Sequence, residues 1–256
     1  NDTDIDYDFD GIVIKLNSVR VQEKIGTKDT RAIEWGIARK WNEELEVETV
    51  LEGIDWQVGR TGVLTPVGRL APVECNGVVI SNVTLHNWDF IGSMGINIGD
   101  TLRITRSGGV IPYVIGRRSG EYSYIPKMPI ECPACGSNVY QDGALIKCTN
   151  YNCSAQSIGR ILQFCSKDCM DIRTIGERVA QDLVLFGIVN DVSNLYCLKN
   201  NYTPEKLAEA LGEGYGTKSC QKMFDAIEDS KNKPFANVLA GLSIPGVGKV
   251  VGRLLA

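Results

Sequence analysis

The chain has 256 residues, a formal net charge of −4 and 43% hydrophobic residues, which is ordinary for a soluble globular protein of one to three domains. No apolar run approaches the roughly 20 residues needed to span a bilayer, and no signal-peptide pattern opens the chain, so we expect no membrane partner. The chain has nine Cys and no secretory signal. This combination favours a metal site over disulfides, and it favours a reducing, cytoplasmic location.

The charge is unevenly distributed along the chain. Residues 1–50 carry 7 basic and 12 acidic side chains, a net charge of −5, whereas residues 51–120 carry six Arg, no Lys and five acids, a net charge of +1. Arg binds phosphate through a planar fork of donors. The middle of the chain therefore suits contact with a nucleic-acid backbone, with ordinary surface charge as the alternative.

The first 50 residues are predicted to be mainly strand. Residues 2–10 alternate Asp with Thr, Ile, Tyr and Phe, a period of two that indicates a strand with one solvated face. The β-branched run Gly11-Ile-Val-Ile-Lys15-Leu16 continues it, and short helix or strand fragments follow at 20–25 and 32–40. Alternation returns at 44–53.

Residues 51–118 are predicted to form a small closed barrel. Short strands are separated by Gly and Asn turns such as Gly59-Arg-Thr-Gly62 and Asn76-Gly77, and about five such strands in about 70 residues favour an OB-type barrel. Residues 119–131, which contain two Pro, are predicted to be a linker.

Four cysteines follow with the spacing of zinc ligands. Cys132 and Cys135 are separated by two residues, and Cys148 and Cys153 by four. Four thiolates can complete a tetrahedron around Zn²⁺ and leave no position for water or substrate. The spacing therefore predicts a structural zinc site, and the chemistry must lie elsewhere.

After a predicted helix at 157–164, a pattern of glycine turn followed by helix recurs about every 35 to 40 residues. The three copies span 174–183, 214–223 and 244–253. Backbone N–H groups at such turns can bind anions, and basic residues follow, so we predict binding to the DNA backbone. The predicted contacts are Gly176, Gly216, Lys218, Gly246, Gly248 and Lys249.

The order of these motifs resembles that of the bacterial-type NAD-dependent DNA ligases. The resemblance covers nearly the whole chain and includes, before the Cys quartet and the glycine repeats, the strings Asp10-Gly-Ile-Val-Ile-Lys15, Trp35-Gly-Ile-Ala-Arg-Lys40, Val58-Gly-Arg-Thr-Gly62 and Ser81-Asn-Val-Thr-Leu-His-Asn87. It implies a multidomain α+β protein. Its expected parts are the end of an adenylation (nucleotidyltransferase) domain at 1–50, an OB fold at 51–125, a four-cysteine zinc finger at 126–156 and a helix-hairpin-helix domain at 157–256.

The resemblance also implies an activity and site residues. Such ligases seal nicks in duplex DNA during replication and repair, joining a 3′-hydroxyl to a 5′-phosphate with NAD as adenylate donor and Mg²⁺ to offset phosphate charge. Asp10 would position the nucleotide or metal, Lys15 and Lys40 would contact its phosphates, and Arg60 and Thr61 would contact DNA near the nick.

The nucleophile motif of these ligases, Lys-x-Asp-Gly, is absent from the 256 residues. We therefore expect a truncated ligase or a split subunit, unable to adenylate itself and completed by an N-terminal half that carries the lysine. Two alternatives are a DNA-binding scaffold of repair or recombination without catalysis, and a zinc-ribbon protein associated with a topoisomerase or polymerase.

Overall fold

The computed structural model describes residues 11–28, 32–40, 46–75, 77–107 and 111–256, and these form two compact units. The first comprises 1–53, 68–84 and 97–124, and the second comprises 54–67, 85–96 and 125–256. None of the helices in these ranges is both long and apolar enough to cross a membrane. The predicted alternation at 2–10 lies outside the described residues.

The first unit begins with a two-stranded antiparallel ribbon and a short helix. The ribbon joins β1 (Gly11–Lys15) to β4 (Gly36–Lys40), and between them lie α1 (Val19–Ile25), β2 (Thr27–Lys28) and β3 (Ala32–Ile33). Within the described residues both faces of the ribbon are open to solvent, with Val13 60%, Ile14 55% and Ile37 68% exposed. A two-stranded ribbon cannot bury its own faces.

Five strands form the predicted barrel: β5 (Val47–Val58), β6 (Val63–Cys75), β7 (Val78–Thr84), β8 (Thr101–Ser107) and β9 (Ile111–Arg118). Their pairing runs β6-β5-β8-β9-β7 and returns from β7 to β6, so the ring is closed. Alternate residues point inward, and the buried set in the first unit includes Leu51, Leu70, Leu102, Ile104 and Val114. The predicted OB-type barrel is thereby confirmed.

A buried carboxylate fastens the two ends of the β8–β9 hairpin. Asp100, whose side chain is fully buried, accepts hydrogen bonds from the backbone N–H of Asn97 at 2.8 Å and of Gly120 at 3.2 Å, and it pairs with Arg117 at 3.2 Å. Because a buried carboxylate needs such partners, Asp100 fixes where β8 starts and where β9 ends.

Two features of the barrel region differ from the sequence prediction. Strands β5 and β6 are 12 and 13 residues long rather than short, because alternating apolar residues continue to the turn at 59–62. A helix, α2 (Trp88–Met94), follows β7, and its first turn is capped by the Asn87 side chain, which accepts the Phe90 N–H.

The second unit contains the segment with the four cysteines, residues 132–153, which we call the cysteine module, and the helices that follow it. A hairpin of β10 (Val139–Asp142) and β11 (Leu145–Cys148) adds to the end of β6 through the pairs Ile146–Leu64 and Lys147–Val63. The helices are α3 (Ser154–Cys165), α4 (Glu177–Leu185), α5 (Val192–Asn201), α6 (Pro204–Leu211), α7 (Thr217–Ser230), α8 (Phe235–Gly241) and α9 (Lys249–Leu255).

Helices α3 to α7 share one apolar core, against which Val238 of α8 packs, and several helices pack as consecutive pairs. Ile161, Phe164, Leu183, Leu207 and Phe224 are among its buried residues. The pairs α3–α4, α6–α7 and α8–α9 are in contact, and each pair flanks one of the three predicted glycine turns. The turns are therefore held by packing on both sides.

Candidate metal centre and nucleic-acid interface

The four cysteines of the predicted zinc site come together in the second unit. Cys132 and Cys135 lie in the turn before β10, Cys148 ends β11, and Cys153 is the residue before α3. All four Sγ atoms lie within 4.8 Å of one another, with Cys132–Cys153 at 3.9 Å and Cys135–Cys148 at 3.6 Å. A tetrahedron with Zn–S bonds of about 2.3 Å has edges of about 3.8 Å, and the two separations of 3.9 and 3.6 Å match that length.

Burial and hydrogen bonds shift the pKa values of the thiols in opposite directions. Burial raises the pKa of Cys148 to about 12 and also raises that of Cys153, whereas at Cys135 the raising effect of burial is outweighed by hydrogen bonds from Ser137, which lower its pKa to about 6. The Asn150 N–H points at Cys148 Sγ at 3.4 Å. A divalent cation among the four sulfurs would favour the thiolate form of each.

The turn that carries Arg60 and Thr61 is fastened directly to the cysteine module. The Cys148 N–H donates to the Gly62 carbonyl at 2.9 Å. Gly62 has a φ of +80°, a conformation that favours glycine, and a Cβ there would lie 3.3 Å from the Cys148 carbonyl oxygen. The cysteine module thus determines where the turn lies.

The same turn packs against α3. A Cβ at Gly159 would lie 2.9 Å from Arg60 Cβ and 3.0 Å from Arg60 Cα, which is closer than carbon atoms normally approach. Helix α3 therefore has a glycine at the point where the backbone of Arg60 crosses it. Arg60 is positioned from two sides, by the cysteine module and by this helix.

Each predicted glycine turn leads into a helix. Gly176, Gly216 and Gly248 are the residues immediately before α4, α7 and α9, and all three have an extended backbone. In the second and third turns the glycine two residues earlier, Gly214 or Gly246, has a positive φ of +92° or +78°. The second and third copies therefore share one conformation.

A residue that the sequence analysis missed lies beside the second turn. Arg178 is the second residue of α4, as Lys218 is of α7, and the Arg178 guanidinium comes within 3.0 Å of the position of a Cβ on Gly214. Tyr215 in this turn donates to the Asp182 carboxylate. The shared position two residues after the turn glycine is the sequence signal that could have identified Arg178.

The structure brings together two groups of predicted DNA contacts that are far apart in sequence. Arg60 and Thr61 line one cavity with the third turn, which includes Gly246, Gly248 and Lys249. Gly176, Gly216 and Lys218 are not among the described residues that line this cavity, so these remain separate predicted contacts.

Two of the predicted adenylate-pocket residues, Lys15 and Lys40, lie on strands of the ribbon in the first unit. Lys15, at the end of β1, faces Gly36 across the ribbon, and its Nζ lies 5.7 Å from the centroid of the Trp35 ring, within the range of a cation–π interaction. Both residues line an open cavity of about 310 Å³. Asp10 and the side chain of Lys40 lie outside the described residues.

The chain is similar to known proteins named DNA ligase. Residues 48–121 match the family described as the NAD-dependent DNA ligase OB-fold domain, a range that covers the barrel. Relatives with that name include those of Coprothermobacter proteolyticus, 38% identical over 99% of this chain and 37% of the relative, Rubrobacter xylanophilus, 42% over 98% and 36%, and Haloferax volcanii, 42% over 99% and 35%.

The chain spans about a third of the length of these curated relatives. Its similarity to them is not confined to the barrel, since it extends over the ribbon, the cysteine module and the helices. The chain is therefore similar over almost its whole length to proteins named DNA ligase, and its residues 48–121 match the NAD-dependent DNA ligase OB-fold domain, which confirms the resemblance read from its motifs.

Proposed function

We propose that the chain is part of an NAD-dependent DNA ligase and acts in sealing nicks in duplex DNA, in replication and repair. The observation that carries this proposal is the similarity to DNA ligases over 97 to 99% of the chain, combined with a closed barrel at the residues that match the ligase OB-fold family. The reaction joins a 3′-hydroxyl to a 5′-phosphate, with NAD as the adenylate donor.

The proposed contribution of the cysteine quartet is structural. Sulfur separations of 3.6 and 3.9 Å fit a tetrahedral Zn²⁺, and four protein ligands leave no open position for catalysis. Zinc would hold the Cys148 backbone where it donates to Gly62. In this proposal the metal keeps the Arg60 turn in place for DNA and takes no part in the reaction.

The proposed DNA contacts are backbone contacts. Arg60 and Thr61 on the barrel hairpin, and the turns before α4, α7 and α9, present cationic side chains and N–H groups suited to phosphate. Arg178 joins this set because of its position beside the second turn. Such contacts read the shape and charge of the duplex rather than its sequence, so affinity should fall steeply with salt.

The proposed adenylate contacts are Asp10, Lys15 and Lys40, as the resemblance implies. Lys15 is exposed beside an open cavity, so a phosphate that enters from solvent can reach its ammonium, which lies over the Trp35 ring. Mg²⁺ would offset phosphate charge at this site. The nucleophilic lysine of Lys-x-Asp-Gly, which these 256 residues lack, would come from an N-terminal ligase segment.

A nick that already carries the adenylate provides the test, because sealing it bypasses the nucleophile. The chain is mixed with Mg²⁺ and labelled adenylated nick, alone and together with a segment that carries Lys-x-Asp-Gly, and sealed product is measured on a denaturing gel. Lys15→Met should lower the sealing rate by at least about tenfold, the effect of one charged contact in the transition state.

Lys24→Met is the matched control, since Lys24 lies on α1 and does not line the Lys15 cavity. It should leave sealing unchanged. If neither mixture seals the nick although DNA is bound, the second candidate function, a DNA-binding scaffold without catalysis, replaces the ligase.

A further inference from the structure

The cavity beside the Arg60 turn has the lining of an oxyanion site. It has a volume of about 470 Å³ and lies wholly within the second unit, between the turn at the end of the barrel hairpin and the loop that joins α8 to α9. Its lining includes Arg60, Thr61, Asp168, Ser243 and Lys249. A phosphate with its attached sugar oxygens would fit this volume.

Two cations and one anion line the cavity, and two of these charges are paired. Lys249 Nζ bonds to an Asp168 carboxylate oxygen, and the Lys249 side chain is 35% exposed and that of Asp168 72% exposed. Because Asp168 is open to water while Lys249 is partly covered, the carboxylate can leave the lysine at little cost. The pair brings together the α3–α4 loop and the start of α9, which are 81 positions apart.

The loop that joins α8 to α9 has an unusual conformation at Ser243. The Ser243 hydroxyl oxygen is buried and has no hydrogen-bond partner among the residues that the structure describes. Ser243 also has a φ of +55°, an uncommon conformation for a residue with a side chain. These two features mark Ser243 as a constrained point of the loop that borders the cavity.

We propose that this cavity binds one phosphate of the DNA backbone and that Asp168 is a built-in competitor for it, holding Lys249 until the phosphate takes its place. The inference rests on the proposed function, because it names a site and a control residue for the DNA that a ligase must hold. Arg60 from the barrel turn and Lys249 from the start of α9 both bind the phosphate. Asp168 weakens binding of the phosphate, since the lysine is available only when a phosphate displaces the carboxylate.

Binding of a labelled nicked duplex to the full chain, measured by fluorescence anisotropy, tests the role of Asp168. Asp168→Asn frees Lys249 and removes the charge that repels the phosphate, so we expect binding to tighten by about 3- to 10-fold at low salt, with the gain shrinking as salt screens the site. Folding should not change, because the Asp168 side chain is mostly exposed.

Glu228→Gln is the matched control. It removes the same charge and breaks an ion pair, that of Glu228 with Lys231 at 2.8 Å, but Glu228 does not line the cavity. Equal tightening by the two variants would mean that only the net charge matters, and would overturn the role of Asp168. A gain from Asp168→Asn that persists undiminished in a Lys249→Met background would overturn it too.

Failure of the phosphate site and failure of the proposed function give different results. A wild-type chain that does not bind nicked duplex even at low salt would contradict the proposed function itself, whereas binding with no advantage of Asp168→Asn over Glu228→Gln would contradict only the role of Asp168. Inorganic phosphate is added as a competitor of DNA in one further measurement. We expect it to displace DNA more strongly than chloride does at equal ionic strength from the wild type, but not from Lys249→Met; equal displacement by the two anions would contradict a phosphate site.

Discussion

The contact between α3 and the Arg60 turn predicts opposite effects of one substitution at two helical glycines. Gly159 in α3 and Gly92 in α2 both lie inside helices, where Ala is preferred over Gly by about 1 kcal/mol. At Gly92 an added Cβ would meet nothing within 4 Å, whereas at Gly159 it would meet the Arg60 backbone. Gly92→Ala should therefore stabilise the chain and Gly159→Ala should not.

The distances give the size of the difference. The added Cβ at Gly159 would lie 2.9 Å from Arg60 Cβ and 3.0 Å from Arg60 Cα, whereas carbon atoms pack at about 3.5 to 4.0 Å. The turn must then move by about 0.5 to 1 Å, and overpacking of this kind costs about 1 to 3 kcal/mol. Against the helical gain, Gly159→Ala should lower the free energy of unfolding by up to about 2 kcal/mol.

Urea unfolding of both variants beside wild type measures these changes, provided that the dependence on urea concentration keeps its slope. Because the turn carries Arg60, Gly159→Ala should also weaken binding of nicked duplex, while Gly92→Ala leaves it unchanged. Stabilisation by Gly159→Ala as large as that by Gly92→Ala would show that the Arg60 turn does not pack on α3, and the reasoning would be refuted.

Three further predictions concern the carboxylates and the cysteines. Asp100→Ala should lower the free energy of unfolding by about 3 to 5 kcal/mol because it leaves buried donors unpaired, whereas Glu48→Ala, which breaks an exposed pair of the same 3.2 Å length, should cost less than about 1 kcal/mol; equal losses in urea melts would contradict the argument. The pKa of Asp191 is lowered from its ordinary 3.8, chiefly by the backbone N–H of Ser193, so its stabilising effect is present above about pH 4 and is lost as pH falls through the folded-state pKa. Asp191→Asn keeps the helix cap and should make the melting temperature depend less on pH below about pH 4. An unchanged pH dependence of the melting temperature would count against this role of Asp191. The wild-type chain should hold about one zinc ion, measured by mass spectrometry, and Cys148→Ser should abolish this zinc content and weaken DNA binding. Cys197→Ser, at an exposed free thiol, should change neither. Zinc retained by Cys148→Ser would disprove the zinc assignment.

Local signals in the sequence were sufficient for the parts of the molecule built from near neighbours. The glycine and asparagine turns predicted the barrel strands, and ligand spacing predicted the cysteine quartet. The three turn glycines each precede a helix, as expected. These features depend on residues a few positions apart, whose geometry is largely fixed by backbone conformation and periodicity.

The rest depended on contacts between distant parts of the chain, which periodicity does not encode. The bond from Cys148 to Gly62, the packing of Gly159 on Arg60 and the pair of Lys249 with Asp168 each join segments tens of residues apart. Nothing in a single sequence says which Asp meets which Lys. The glycines at 62 and 159 looked like ordinary turn or helix residues until their neighbours were known.

The bond between the Cys148 N–H and the Gly62 carbonyl has a consequence for the order in which the chain folds. It closes a loop of 86 positions, from 62 to 148, whereas the four cysteines lie within 21 positions of one another, between 132 and 153. Loop-closure entropy makes the longer closure less favourable by about 1.2 kcal/mol. A metal-loaded cysteine module can therefore form first. The barrel hairpin then packs against a surface that is already folded, and the two segments need not become ordered in the same step.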